Sequence, residues 1–298
     1  MTQPAISTDK LTKHYGDVKA LIDLDLEVRP GEVFGFLGPN GAGKTTAIRT
    51  LMDEIRATSG SATIVGLDTH KDSVEIRRHL GYLPSDLTMY PNLTGKDTIT
   101  YFSNLRGGVD WTVVESIAAR LDADLSKKVG DLSTGNRQKV GLIQAFMNQP
   151  ALIIMDEPSA GLDPLVQREF QNMMREIADD GRAVFLSSHT LSEVQRVADR
   201  VGIIREGHLV AVESVQSLRS KAIRRVDLYF DEPVEASVFE RIDGVRSCEV
   251  TNHHASLSFD GHMDELLSAA SSHYTLVDIN TQEEDLEEIF LTYYQDEV

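Results

Sequence analysis

The stretch that decides the fold is Gly38-Pro39-Asn40-Gly41-Ala42-Gly43-Lys44-Thr45, which fits the phosphate-binding pattern Gly-x4-Gly-Lys-Ser/Thr at every required position. Its glycines let successive backbone N–H groups turn inward around a phosphate, and a helix that starts at the loop adds the positive end of its dipole. In such a loop Lys44 reaches the β- and γ-phosphates, and the Thr45 hydroxyl binds Mg²⁺. The sequence therefore predicts a nucleoside triphosphate site.

The flanking sequence indicates an α/β core around this loop. Residues 32–37 form an apolar run typical of a buried strand, and Thr45 to Met52 is predicted as a helix. Two further apolar runs, at residues 151–155 and 184–188, are predicted as buried parallel strands. Open parallel sheets bind ligands at the carboxyl ends of their strands, so we expect the chemistry there. Alternating apolar and polar residues before Val28 favour antiparallel strands.

Length and pattern predict one large domain and a small appendage. The 298 residues, 41% of them hydrophobic, can bury a substantial core with room for a second domain. We expect an α/β P-loop NTPase core over residues 1–215, with a mostly parallel sheet, an antiparallel β subdomain and a helical subdomain at about 86–149. Residues 216–298 indicate a small α+β domain, ending in a helix that starts at Thr281.

Charge and cysteine content narrow the classes of protein. Of the net charge of −18, −12 lies in residues 216–298, where 18 Asp/Glu face 6 Lys/Arg. That region is therefore a poor surface for a phosphate backbone, although a solvated face, an adaptation to salt and an acidic docking role all stay open. The single cysteine, Cys248, excludes an intrachain disulfide and is expected to be a small apolar residue in a strand.

No apolar run approaches the roughly 18 residues that span a bilayer, and the first residues lack a basic segment followed by an apolar one. We therefore expect the chain to be made and kept in the cytoplasm.

Two acidic residues, Asp156 and Glu157, end the apolar run at 151–155. The first carboxylate can orient Mg²⁺ and its waters, and the second can polarise a water that attacks the γ-phosphorus. A buried strand that ends in acidic residues is also common without catalysis.

The Ser133-Thr134-Gly135 segment precedes a predicted helix at about 136–146. Its N–H groups and the Ser133 hydroxyl would form an anion site at the helix N-terminus. An ordinary helix cap explains the same residues.

The order and spacing of four segments carry a resemblance. After the phosphate loop come residues 132–136, residues 153–158 and Ser188-His189, and in this arrangement roughly residues 5–215 resemble the ATP-binding cassette ATPases. The region beyond is similar to the C-terminal extension of drug-exporter-type cassettes. The resemblance implies that the ligands are ATP and Mg²⁺.

It also implies residue roles. Glu157 would be the catalytic base, His189 would bond the γ-phosphate, and Ser159 and Asp163 would lie in the loop through which two nucleotide sites communicate. Ser133 to Gly135 would face the ATP held by another subunit. The implied ATP-binding residues are Tyr15 (stacked on adenine), Gly38, Pro39, Asn40, Gly41, Ala42, Gly43, Lys44, Thr45, Thr46, Ser133, Thr134 and Gly135.

Three of these roles have structural alternatives. His189 could be a structural or solvated histidine, Tyr15 could belong to the core, and residues 159–163 could be a surface turn that caps the following helix.

The chain departs from the family pattern at two places. Ser85 stands where the family usually has Gln or Glu, and serine is too short to span the same gap to Mg²⁺. The expected metal ligands are therefore Thr45 and Asp156, with Ser85 or Asp86 possible. Thr134 and Asn136 replace the usual Gly and Gln, while Ser133 and Gly135 are retained.

The favoured function is an ATP-hydrolysing subunit of an exporter. It would pair with a second ATPase subunit as a homodimer, drive a separate transmembrane permease, lie peripherally on the cytoplasmic side of the membrane and bind no nucleic acid. One alternative is a soluble cassette ATPase acting on ribosomes or DNA; another is a P-loop kinase or transferase. The transported substrate stays open among drugs, antibiotics, lipids and sugars.

Overall fold

The computed structural model describes residues 3–221 and 224–283. The chain divides into two compact units between Glu213 and Ser214, two residues before the boundary expected after residue 215. Each unit is described by itself.

The first unit contains two sheets. Its strands are β1 (Ile6–Tyr15), β2 (Val18–Leu24), β3 (Glu27–Val28), β4 (Val33–Leu37), β5 (Ser59–Ile64), β6 (Leu67–Asp68), β7 (Leu80–Leu83), β8 (Leu152–Asp156), β9 (Ala183–Ser188), β10 (Arg200–Arg205) and β11 (His208–Ser214). One sheet has the order β11-β10-β4-β9-β8-β7, and the strand pairs from β10 to β7 are parallel. All residues of β4, β8 and β9 are buried, as their apolar runs predicted.

The second sheet of this unit has the order β2-β1-β5-β6, with β3 also paired to β1, and its strands pair antiparallel. Apolar residues of the alternating N-terminal pattern, such as Leu21 and Leu24, face the core. The predicted mostly parallel sheet with an antiparallel subdomain is confirmed.

Helices of the first unit follow the strands or form a separate group. They are α1 (Lys44–Leu51), α2 (Ser73–His79), α3 (Gly95–Leu105), α4 (Trp111–Arg120), α5 (Thr134–Phe146), α6 (Pro164–Asp179) and α7 (Leu191–Val194). Helices α3 to α5 lie within the expected helical region at 86–149. Side chains at Thr94, Asp110, Ser133 and Asp163 accept backbone N–H groups at the starts of α3, α4, α5 and α6 respectively, so capping sets these boundaries.

The core beneath the parallel sheet is aromatic. Phe34 and Phe36 of β4 contact Phe185 of β9, with ring centroids 5.9 and 5.5 Å apart. Ile48 and Leu51 of α1 join the same core, and all five side chains are nearly or fully buried. This packing fixes the start of α1 against the ends of β4 and β9.

The second unit is an antiparallel sheet with short helices. Its elements are α8 (Val215–Lys221), β12 (Arg224–Phe230), α9 (Ala236–Phe239), β13 (Val245–Thr251), β14 (His254–Phe259), α10 (Met263–His273) and β15 (Leu276–Glu283). The strand order is β13-β14-β12-β15. The core includes Leu228, Phe239 and Phe259. Cys248 lies half-buried in β13, and burial raises the pKa of its thiol.

One predicted boundary in this unit is wrong. Thr281 was expected to start a helix, but it lies in β15 and pairs with Val226 of β12. Pairing with a central strand prevailed over the local capping pattern. The rest of that predicted helix lies outside the described residues.

Within residues 3–221 and 224–283, no helix combines the length and the apolar character needed to cross a bilayer.

Candidate active site

Three parallel strands end at one edge of the six-stranded sheet. Leu37 at the end of β4 is in register with Ser188 of β9, and Asp156 at the end of β8 is in register with Ser187. Each strand continues directly into a predicted functional segment: the phosphate loop, Glu157 and His189. The fold therefore brings together residues that are more than 100 positions apart in sequence.

Glycines are required in the phosphate loop for different reasons. A Cβ at residue 38 would lie 2.4 Å from the Ile204 carbonyl oxygen, and one at residue 43 would lie 2.5 Å from that of Ala20. Gly43 also has φ +110° and Gly41 has φ +83°, values that favour glycine. Nothing lies within 4 Å of a Cβ at Gly41. The loop thus packs tightly on its inner side and is open at Gly41.

Helix α1 begins at Lys44, with Gly43 at its N-cap and no side-chain cap. Its first N–H groups therefore meet no capping side chain. A phosphate is a suitable acceptor for such groups, and the helix dipole adds to the attraction.

Lys44 is a buried cation, only 6% exposed. Its Nζ donates to the carbonyl oxygens of Gly38, at 2.6 Å, and Pro39, at 3.2 Å. The same Nζ lies 3.3 Å from Oε1 of Glu157. The loop carbonyls and the carboxylate hold the ammonium group at the centre of the site.

A second cluster links the loop to β8 and β9. The Thr45 hydroxyl donates to Oδ2 of Asp156 at 2.8 Å, and the Ser187 hydroxyl donates to Oδ1 of Asp156 at 2.5 Å. Asp156 is 1% exposed, so both oxygens are fixed by hydrogen bonds inside the protein. The sequence reasoning gave Ser187 no role. A polar residue at the end of an apolar strand was the available signal.

Glu157 has an unusual backbone and two charged neighbours. Its φ is +52°, a left-handed conformation that is uncommon outside glycine. Its N–H lies within hydrogen-bond distance of the Ser187 hydroxyl and carbonyl oxygens, at 3.1 and 3.3 Å. Its Oε2 lies 2.8 Å from Nδ1 of His189. The Glu157 carboxylate is thus held between Lys44 and His189, and His189 is not an isolated solvated histidine.

A cavity of about 320 Å³ opens in front of these groups. Its lining is Asn40, Gly41, Gly43, Lys44, Thr45, Thr46, Ser85 and Glu157. Ser85 therefore faces the same space as Thr45. Asp86 is exposed and is not part of this lining.

The Ser133–Gly135 segment is not part of the cavity lining either. Ser133 is exposed, and its hydroxyl accepts the Asn136 N–H at 3.2 Å as the N-cap of α5. Thr134 accepts from the Arg137 guanidinium. A Cβ at residue 135 would lie 2.2 Å from the Gly161 carbonyl oxygen. The segment therefore caps a helix and packs against the loop that contains Ser159 and Asp163.

That loop is a turn before α6. The Leu162 N–H donates to the Ser159 carbonyl oxygen at 3.2 Å, and Oδ1 of Asp163 accepts the Val166 N–H at 3.0 Å. The capping role given as the alternative is observed for Asp163.

Tyr15, at the end of β1, is 46% exposed. The Nζ of Lys13 lies 5.0 Å from its ring centroid. Tyr15 is therefore not a core residue, and its ring is accessible to a ligand.

Comparisons with known proteins agree with this geometry. A family model described as ABC transporter matches residues 21–160. The chain is 34% identical over 236 residues to the bacitracin transport ATP-binding protein BcrA of Bacillus licheniformis, covering 78% of this chain and 77% of that protein. The chain belongs to the ABC transporter family, as an ATP-binding subunit that hydrolyses ATP.

Two solved structures are similar. The structure of an ATP binding subunit of an ABC transporter superposes with a TM-score of 0.67 at 28% identity, covering 72% of this chain and 92% of that one. A bacterial Atm1-family ABC exporter with ATP bound gives a TM-score of 0.65 at 26% identity, covering 72% of this chain and 40% of that one. Both support the transporter class, and no comparison favours the soluble ATPase or the kinase.

Proposed function

We propose that this chain drives an exporter by forming an ATP-dependent head-to-tail homodimer on a separate membrane permease. The observation that carries the proposal is the convergence of Lys44, Glu157 and His189 at the mouth of the phosphate loop. A cation for the phosphates and a carboxylate for the attacking water lie together there.

ATP binding is assigned to the loop and to Tyr15. The phosphates lie against Gly38 to Thr46, where the uncapped start of α1 and Lys44 supply donors. The accessible ring of Tyr15 stacks on adenine.

Oxygen ligands for Mg²⁺ are present beside the loop. The Thr45 hydroxyl and the buried Asp156 carboxylate are hard donors 2.8 Å apart, which suits Mg²⁺. Ser85 faces the cavity, so we prefer it to Asp86 as a further ligand, through a water because its side chain is short. The ion would neutralise charge on the phosphates.

Hydrolysis requires a base and a water. The Glu157 carboxylate accepts a proton from the water as its oxygen attacks the γ-phosphorus, and the bond between that phosphorus and the ADP oxygen breaks. His189 holds Glu157 through the 2.8 Å contact and, being more than half exposed, is available to the γ-phosphate.

The dimer follows from the position of the second anion site. The start of α5 at Ser133 to Gly135 is exposed and is not part of the lining of the chain's own cavity, so we assign its phosphate to a second copy. Ser159 and Asp163 lie in the adjoining loop and carry signals between the two sites.

A groove suits the permease. A cavity of about 970 Å³ beside β7 and α3 is lined by residues that include Pro84, Leu87, Thr88 and Phe102. It begins directly after Ser85, so a bound permease segment would contact the chain next to the nucleotide cavity. We place the protein on the cytoplasmic face of the membrane.

The relatives guide the rest of the proposal. One is named for bacitracin transport and another similar chain is an exporter, so we assign export of drug- or antibiotic-type molecules. Residues 1–215 form the nucleotide-binding domain, and the acidic residues 216–298 form an accessory or regulatory domain without nucleic-acid contact.

The test uses Glu157→Gln. This variant should bind ATP, lose turnover by about 10²- to 10⁴-fold and accumulate as a closed dimer, measured by sedimentation with and without ATP. A variant that stays monomeric at every ATP concentration would contradict the mechanism.

The partner is tested separately. The tagged chain, purified from native membranes in mild detergent, should carry a stoichiometric polytopic protein. Recovery with ribosomal or nucleic-acid material instead would favour the soluble ATPase.

A further inference from the structure

Lys139, in the second turn of α5, is a buried cation that the hydrolysis mechanism does not use. It is 6% exposed, and its Nζ donates to the Asp122 carbonyl oxygen at 3.1 Å. The same Nζ lies 3.9 Å from Oδ2 of Asp163. A buried charge requires compensation, and here the compensating groups lie just after α4 and at the first cap of α6.

Gln138 makes a second connection on the same turn. Its buried Nε2 donates to the Pro158 carbonyl oxygen at 3.0 Å. Pro158 directly follows Glu157, so this bond joins α5 to the segment that leaves the catalytic carboxylate.

A third connection is steric. Gly135 and Gly161 pack so closely that a Cβ at residue 135 would lie 2.2 Å from the Gly161 carbonyl oxygen. Gly161 itself has φ +77°, which favours glycine. Neither backbone can shift toward the other.

These contacts span both ends of one segment. Gln138 holds Pro158, Gly135 meets Gly161, and Lys139 faces Asp163. Together they tie the first two turns of α5 to the whole loop between β8 and α6. The exposed anion site at Ser133 and the loop of Ser159 and Asp163 are therefore parts of one body.

We propose that Lys139 and Gln138 are positioning residues that make the Ser133–Gly135 segment and residues 158–163 move as a unit. A phosphate of the second copy bound at Ser133 then shifts the segment that follows Glu157 of the same chain. Binding at one nucleotide site thereby adjusts the catalytic carboxylate of the other. This inference rests on the proposed dimer.

The first test needs no dimer. Lys139→Met removes the charge and keeps the length, Lys139→Arg restores a cation, and Lys127→Met is a control at an exposed lysine of the same region. In the chain without ATP, the Leu162 amide should exchange hydrogen about three- to thirtyfold faster in Lys139→Met than in the native chain. The Ile76 amide, in α2, should be unchanged. Equal Leu162 exchange in all variants would overturn the proposal.

The second test measures coupling. In the Glu157→Gln background, Lys139→Met should weaken ATP-dependent dimerisation about three- to thirtyfold without changing ATP affinity of the monomer. With Glu157 intact, the Hill coefficient for ATP turnover should fall toward 1. Lys139→Arg should recover most of both losses, and Lys127→Met should match the native chain.

The outcomes separate the two proposals. If the native chain never dimerises with ATP, the proposed function fails, while the exchange result still judges the tie between α5 and the loop. If the dimer forms but Lys139→Met leaves its affinity and Hill coefficient unchanged, the inference fails alone. Should Lys139→Met not fold, Asp163→Asn serves, because Asn retains the helix cap but removes the carboxylate that faces Lys139. It should raise Leu162 exchange in the same way.

Discussion

Two helix N-termini in this protein are built as anion sites, but their surroundings differ. At the start of α1, Lys44 is buried, Glu157 lies beside it and a cavity opens in front. At the start of α5, Ser133 is exposed and bonds only to its own helix among the contacts described. The first site has a cation, a catalytic carboxylate and oxygen ligands within one chain. The second has a cap and a dipole, so it is useful only when another molecule brings the phosphate.

Lys44→Met tests the self-contained site and should have the largest effect. Truncating one partner of a buried charge contact costs about 2–5 kcal/mol, so the isolated chain should bind ATP at least about thirtyfold more weakly. Isothermal titration of the monomer measures this. The same replacement at the exposed Lys127 should leave binding unchanged; equal binding by Lys44→Met would show that α1 alone holds the phosphates.

Ser133→Ala tests the incomplete site. Loss of the cap should reduce the free energy of unfolding by about 1 kcal/mol, read from chemical denaturation. ATP binding by the monomer should not change, whereas dimerisation and turnover should fall about tenfold because one charge-assisted hydrogen bond is lost. Ser133→Asn retains the cap and separates stability from phosphate binding. Weaker ATP binding by the Ser133→Ala monomer would contradict the contrast between the two sites.

Ser85→Gln should have the smallest effect and sharpens the first site. A longer side chain can replace a bridging water, so we expect MgATP to bind about three- to fivefold more tightly, corresponding to one neutral hydrogen bond of roughly 1 kcal/mol. Titrations with and without Mg²⁺ isolate the gain. Asp86→Asn, just outside the cavity, is the matched control, and a gain there but not at Ser85 would reverse our preference between the two.

The first site was predictable because its information is local. The phosphate loop is one continuous octapeptide, and Asp156 and Glu157 are marked by the apolar strand before them. Residues that act through distant partners gave no such signal. Ser187 bonds Asp156 across 31 positions and Gln138 bonds Pro158 across 20. Each looks like an ordinary polar residue until the fold places its partner beside it.

Local signals also failed when tertiary pairing opposed them. Thr281 has a capping pattern, yet strand pairing with Val226 keeps it in β15. At Ser85 and Asp86 the sequence left the choice open. Only the direction in which the chain leaves β7 showed which of the two faces the cavity.

The positive φ of Glu157 means that evolution has kept a residue at a position where glycine would fit the backbone better. A left-handed non-glycine residue costs about 1–2 kcal/mol. Glu157→Gly and Glu157→Ala both lack the carboxylate and should both lose turnover, yet the glycine variant should melt at the higher temperature. In that pair, the difference in melting temperature measures the stability that the protein gives up to retain its base.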